Sequence, residues 1–151
     1  MLLVILPKEE KRLKNMEKLT GHKINCAVFI SGRGSNLNSI IKISKKKNFP
    51  IEVKLVISNN SNAYGIYYAK RNKINSKIIK SVNMRLFETK VLKILKREKI
   101  KFICLAGFMK ILSKKFINEF GYKIINIHPS LLPKYKGLNT HFRMLKNKEK
   151  I

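Results

Sequence analysis

Asn126 and His128 stand two residues apart at the end of the apolar run Lys123–Ile127. On an extended chain that spacing turns both side chains to the same side. An amide and an imidazole converging there can polarise a carbonyl and hold the negative charge of a tetrahedral intermediate. The loop His128–Gly137 that follows is stiffened by Pro129 and Pro133, and Leu132-Pro133 is a candidate cis bond. A single His near a strand end is also a common structural residue. Asn126 at the matching offset, beside a double-proline loop, favours chemistry.

Three further segments hold chemistry-bearing residues. Ser31-Gly32-Arg33-Gly34-Ser35-Asn36 follows an apolar run and opens a helix. Its glycines let backbone N–H groups approach an anion, and a helix N-terminus adds partial positive charge. Gly34, Ser35 and Asn36 are therefore candidates for holding a phosphate. The spacing is not G-x-G-x-x-G, so a single phosphate suits it better than a dinucleotide. A plain glycine-bearing turn is the alternative. Ser58-Asn59-Asn60-Ser61-Asn62-Ala63 reads first as turn and capping chemistry, at which Ser and Asn excel. Ala106-Gly107-Phe108-Met109-Lys110-Ile111-Leu112 puts apolar surface at a strand's carboxyl end, where a flat aromatic cofactor would fit. A core stripe leading into a helix is the alternative there.

These loops need strands and helices to hold them. Ile24–Ile30 is a short apolar, β-branched run of the kind a buried parallel strand requires. Further strands are predicted at Ile51–Ile57, Ser76–Ile79, Lys101–Ala106 and Lys123–Ile127. Helical spacing is found at Asn36–Lys47 (Leu37, Ile40, Ile41, Ser44) and at Ala63–Lys73 (Ile66, Tyr67, Ala69). The clearest helix is Met84–Glu98, with Met84, Phe87, Val91, Ile94 and Leu95 on one face. Ser113 can N-cap a short helix through Phe120, and a last helix starts near Asn139–Lys146. Strands alternating with helices predict an α/β fold, an open, mostly parallel sheet with helices on both faces. Such sheets bind ligands at the carboxyl ends of their strands. Residues 1–22 match this pattern poorly and read as an N-terminal extension, leaving 23–151 as one domain.

Composition narrows the function further. The 151 residues carry 34 Lys+Arg against 8 acids, a formal net charge of +26. Of the cations 28 are Lys and only six are Arg, and Lys, Ile and Asn together make up 64 residues. That pattern resembles compositional drift rather than a selected phosphate-binding surface, which would favour the bidentate guanidinium. The cations are also spread along the chain, so nucleic acid is not expected as a partner. A positive field still helps to recruit an anionic small substrate. The longest apolar runs, such as Met1–Leu6, are too short to span a membrane or to form a secretory core. Two cysteines make neither a disulfide framework nor a zinc site. Cys26 and Cys104 fall in predicted strands, where Cys behaves as a small hydrophobe and not as a nucleophile. His141, beside Thr140, fits a structural or capping role.

The string NIHPSLLPKYKGLNTH (Asn126–His141) resembles the signature of the phosphoribosylglycinamide formyltransferase family of folate-dependent enzymes. FISGRGSNLNSII (Phe29–Ile41), VISNNSNAYGIYYAK (Val56–Lys70) and LAGFMKILS (Leu105–Ser113) resemble that family in the same order. The likeness runs from about Lys23 to Leu145. It implies a Rossmann-like formyltransferase fold. It also implies transfer of a formyl group from 10-formyltetrahydrofolate to the amine of glycinamide ribonucleotide, in cytoplasmic purine (IMP) biosynthesis. By the same resemblance Gly34, Ser35 and Asn36 bind the ribosyl phosphate. Arg85, Met109, Lys110, Ile111 and Leu112 line the folate site together with Asn126, partly through backbone groups. Asn126 and His128 are the implied catalytic pair, and no metal is implied.

The chain also departs from the family pattern. Members of that family run to about two hundred residues and carry an Asp a few dozen residues after the His, which raises the pKa of that His. All eight acids here are Glu. The expectation is a domain incomplete at its C-terminus, without its later strands and with impaired turnover. Three alternatives compete. A methionyl-tRNA formyltransferase-like or formyltetrahydrofolate hydrolase-like enzyme would share the Asn-x-His element. An inactive fragment that binds nucleotide or polyanion would account for the charge.

Overall fold

The computed structural model describes residues 23–80 and 82–127, together with Asn15. The elements run β1 (Ile24–Ile30), α1 (Ser35–Ser44), β2 (Ile51–Ser58), α2 (Gly65–Arg71), β3 (Asn75–Ile78), α3 (Met84–Arg97), β4 (Phe102–Ala106), α4 (Lys114–Phe120) and β5 (Lys123–Ile127). The strands form one sheet in the order β3-β2-β1-β4-β5. Every pairing in it is parallel. This is the α/β architecture expected from the alternation of short β-branched runs with amphipathic segments.

β1 sits at the centre because both of its faces are apolar. Cys26, Val28 and Ile30 are fully buried on one side, and Ala27 and Phe29 on the other. The first set packs with Leu37, Ile40 and Ile41 of α1 and with Ile66 and Ala69 of α2. The second packs with Phe87, Val91 and Leu95 of α3 and with Phe116 and Phe120 of α4. The period of two along the strand thus sorts side chains into two cores, one under each helical layer. A bulge at Lys54 shifts the β1–β2 register between Cys26 and Ala27.

The chain order sets where a ligand can bind. From β1 it winds outward through β2 to β3. Then α3 carries it across the opposite face to β4, on the other side of β1. The winding therefore reverses between β1 and β4. The loops beyond their carboxyl ends therefore stand at a topological switch point, the place where open α/β sheets bind ligands.

The element boundaries differ from the sequence expectation for local reasons. β1 and β5 run as expected. α1 starts one residue early and stops at Ser44 rather than Lys47, where Lys46 N–H turns back to the Ile43 carbonyl. α2 is shorter at both ends. Asn72 closes it by donating its side-chain amide to the Tyr68 carbonyl at 2.8 Å, and Lys73 takes a positive φ of 57°. Tyr67, expected on the apolar face of α2, is 48% exposed, while Ile66 and Ala69 are buried. β3 covers Asn75–Ile78 rather than Ser76–Ile79, α3 ends at Arg97, and β4 starts at Phe102. Ser113 caps α4 as expected, accepting the Phe116 N–H at 3.0 Å. The 1–22 extension, His128, the loop to Gly137 with Leu132-Pro133, His141 and the last helix lie outside the described residues.

Both cysteines are buried free thiols on β1 and β4. Burial raises the Cys104 thiol from an ordinary 9.0 to about 12. Cys26 is also pushed well up, chiefly by burial. The folded state thus favours the neutral thiol. That contribution to stability is intact below pH 9 and is lost as pH rises from 9 toward 12. Alkylation needs thiolate and access. Intact-mass measurement after iodoacetamide treatment at pH 8 should show neither cysteine labelled in the folded chain and both labelled in urea.

Candidate active site

At the end of β1 the backbone turns through Gly32–Gly34 into α1. Gly34 takes φ +78°, and no side chain caps the helix. Asn38 N–H is the first to bond back, to the Gly34 carbonyl at 2.9 Å. The amides of Ser35, Asn36 and Leu37 therefore face outward at a helix N-terminus, the arrangement that favours an anion. Ser35 is exposed and Asn36 half-buried beside them. The three phosphate candidates from the sequence thus meet in one turn.

The turn is held from below by α2. Gly65 N–H donates to the Gly32 carbonyl at 3.1 Å. A Cβ placed on Gly34 would lie 2.4 Å from Gly65 Cα, and one on Gly65 would lie 2.5 Å from Ile30 Cδ1. The two glycines let the segments touch backbone to backbone. Sequence reasoning missed Gly65. Its signal was a glycine at the first position of a helix, where almost any other residue costs less chain entropy.

Ser31 joins three loops, a role the sequence alone did not assign. Its N–H donates to the Gly107 carbonyl at 3.1 Å, and its carbonyl accepts the Asn60 side-chain amide at 2.9 Å. Its hydroxyl donates to Asn59 Oδ1 at 2.6 Å and accepts the Met109 N–H at 2.8 Å. The Ser58–Ala63 segment is thus turn chemistry, as expected, and also a brace. Ser58 Oγ and Asn60 Oδ1 close its own turn, by accepting the Asn60 and Asn62 N–H groups.

The loop after β4, joined to this turn through Ser31, splits by exposure. Phe108 lies between Phe29, edge-on at 5.5 Å, and Phe87, stacked at 5.8 Å. Leu112 packs into the same core. Met109 is 64% exposed and Ile111 is 92% exposed, with Lys110 also in solvent. Both expectations for this segment hold in part: Phe108 and Leu112 are core, and Met109 and Ile111 offer an apolar surface. The Phe87–Phe108 stack also brings the first turn of α3, which carries Arg85, toward this loop. Arg85 is exposed, and its N–H is taken up by the Asn83 cap.

Asn126 pairs in register with Leu105. It is exposed and shares a sheet face with Ile124, which packs with Leu105, Phe108 and Leu112. The strand alternation thus sets it beside the exit of β4. His128 lies outside the described residues. Among those residues, no group of three His, Cys or Glu side chains is placed to hold a metal ion. Nor is any helix among them long and apolar enough to cross a membrane.

A glycine turn, a braced apolar loop and an exposed amide around one switch point make this a doubly wound α/β domain of the ligand-binding kind. The chain belongs to the formyl transferase family, whose pattern matches residues 24–151. Among its relatives is phosphoribosylglycinamide formyltransferase of Haemophilus influenzae, 43% identical over 122 residues, covering 79% of this chain and 58% of that protein. Another is the trifunctional purine biosynthetic protein adenosine-3 of Gallus gallus, 42% identical over 127 residues, covering 82% of this chain and 13% of that one. The crystal structure of phosphoribosylglycinamide formyltransferase from Brucella melitensis superposes with a TM-score of 0.80 at 36% identity, covering 85% of this chain and 69% of that one. The chain therefore spans little more than half the length of the bacterial relative it matches at 43% identity. The tRNA-directed and hydrolase alternatives are not favoured by these relatives.

Proposed function

We propose that this domain carries the substrate sites of a phosphoribosylglycinamide formyltransferase of purine biosynthesis, working in the cytoplasm. Its substrates would be glycinamide ribonucleotide and 10-formyltetrahydrofolate. The observation that carries the reading is the Ser31 junction. It ties the glycine turn that opens α1 to the exposed apolar loop after β4, with Asn126 on the next strand. The relatives' names supply the reaction.

In this reading the amides of Ser35 and Asn36 and the Asn36 side chain hold the ribosyl phosphate. Met109, Lys110, Ile111, Leu112 and Arg85 take the folate. The exposed apolar side chains of Met109 and Ile111 fit a flat ring system. Bound formyl-folate supplies an electrophilic formyl carbon. The substrate amine attacks it, and negative charge collects on the formyl oxygen. Asn126 donates a hydrogen bond to that oxygen. His128, as imidazolium, stabilises the same charge and passes a proton to the departing folate nitrogen, and the proton released by the attacking amine restores the imidazolium.

Isothermal titration tests the reading. The wild-type chain should bind glycinamide ribonucleotide, and Asn36→Ala should weaken that binding by about ten-fold or more. Affinity that falls steeply with salt and ignores Asn36 would instead mark a general polyanion binder.

A further inference from the structure

We propose that Glu88 is a positioning residue for the folate-facing loop. It fixes the exit of that loop while Ser31 fixes its entry. The inference rests on the reading of Met109–Leu112 as the folate surface.

Glu88 is the only acid in α3, and it stands on the helix's apolar face, one turn from Met84 and one from Val91. It is only 8% exposed. Both carboxylate oxygens are directed to one residue. Oε1 accepts the Ser113 backbone N–H at 2.7 Å, and Oε2 accepts the Ser113 hydroxyl at 2.7 Å. These are short, charge-assisted bonds. Ser113 Oγ still accepts the Phe116 N–H, so the cap of α4 is complete without the carboxylate. Burying a carboxylate is costly, and an apolar side chain would fill the same space more cheaply. What the carboxylate adds is orientation: two acceptors fix the backbone and the side chain of residue 113 together.

Ser113 directly follows Leu112. At the other end, Met109 N–H is held by Ser31 Oγ. Only Lys110, Ile111 and Leu112 lie between the two anchors. Phe87, next to Glu88, stacks on Phe108. One turn of α3 therefore grips the loop twice, by a ring before Met109 and by a carboxylate after Leu112. The backbone groups of Lys110–Leu112 are thereby set before a ligand arrives, which lowers the ordering cost of binding.

The test compares Glu88→Ala, Glu88→Gln and a control, Val91→Ala, which opens a cavity on the same helix without touching the loop anchor. Two quantities are read: affinity for a stable 5,8-dideaza analogue of the formyl-folate, and amide hydrogen exchange at Lys110–Leu112. A glycinamide ribonucleotide titration of each variant serves as the reference for the phosphate turn. Glu88→Ala should weaken analogue binding about ten-fold and speed exchange at Lys110–Leu112 by a similar factor, with ribonucleotide affinity changed less than about two-fold. Glu88→Gln keeps one acceptor, so it should lie between wild type and Ala and keep the fold testable. Val91→Ala should lower the unfolding midpoint and leave both readouts unchanged. Unchanged exchange in both Glu88 variants, or an equal loss of analogue binding in Val91→Ala, overturns the proposal. If the wild-type chain binds no analogue, the folate reading falls, and exchange still decides whether Glu88 sets the loop.

Discussion

Gly34→Ala should unfold at clearly lower urea and bind glycinamide ribonucleotide at least about ten-fold more weakly, whereas Gly32→Ala, two residues away, should do neither. The contrast follows from geometry. Gly34 sits at φ +78°, and an added Cβ would meet Gly65 Cα at 2.4 Å. The left-handed conformation alone costs a non-glycine residue about 1–2 kcal/mol. The backbone contact cannot be relieved by a rotamer change, so α1 and α2 must separate, and the total is expected near 2–4 kcal/mol. Separation also turns the Ser35 and Asn36 amides away from their common focus. At Gly32 an added Cβ meets nothing within 4 Å. Gly65→Ala should fall between them, because its first collision is with the end of a side chain, Ile30 Cδ1 at 2.5 Å. Urea midpoints and titration calorimetry on the three variants read both effects. Equal behaviour of Gly32→Ala and Gly34→Ala would refute the close-contact account.

Phe29→Ala is expected to cost about 3–5 kcal/mol, the usual range for removing a fully buried Phe. Phe29 is 0% exposed near the carboxyl end of the central strand. Its ring meets Phe108 edge-on at 5.5 Å and Phe116 at 6.5 Å. Its loss therefore empties the core under α4 and leaves Phe108 with Phe87 as its remaining ring contact. The site should register this. Met109 and Ile111 ride on the segment that Phe108 anchors, so folate affinity should drop more than ribonucleotide affinity. Phe29→Leu, which keeps most of the volume, should recover at least half of the stability. Chemical unfolding and the two ligand titrations check this. A variant that loses both affinities equally would show that Phe29 supports the sheet without favouring the loop.

Much of this arrangement was legible in the sequence. Ile24–Ile30 and Lys123–Ile127 are runs without competing signals, and their ends were predicted correctly. Ser113 was readable as a cap because its hydroxyl serves an amide three residues ahead. The turn Gly34-Ser35-Asn36 was readable because its chemistry is local. What escaped is non-local. Ser31 reaches Asn59, Asn60, Gly107 and Met109, partners whose nearness depends on strand order. Gly65 is explained by Ile30 and the backbone of Gly34 lying against it. Tyr67 fits an apolar helical face by spacing, but its ring is half exposed and stacks on the exposed Tyr64 rather than entering the core.

The reversal of winding between β1 and β4 has a consequence for how the molecule assembles. β1 and β2 are joined through a single short helix, so their pairing closes a small loop. β1 and β4 pair residues that lie far apart in the chain, such as Cys26 with Phe102. Such distant contacts form late, because the entropy of a long loop is spent before they reward it. The candidate site draws on the loops after both strands, so it should take shape only once that pairing is made. A ligand bound there would hold closed the step that completes the sheet.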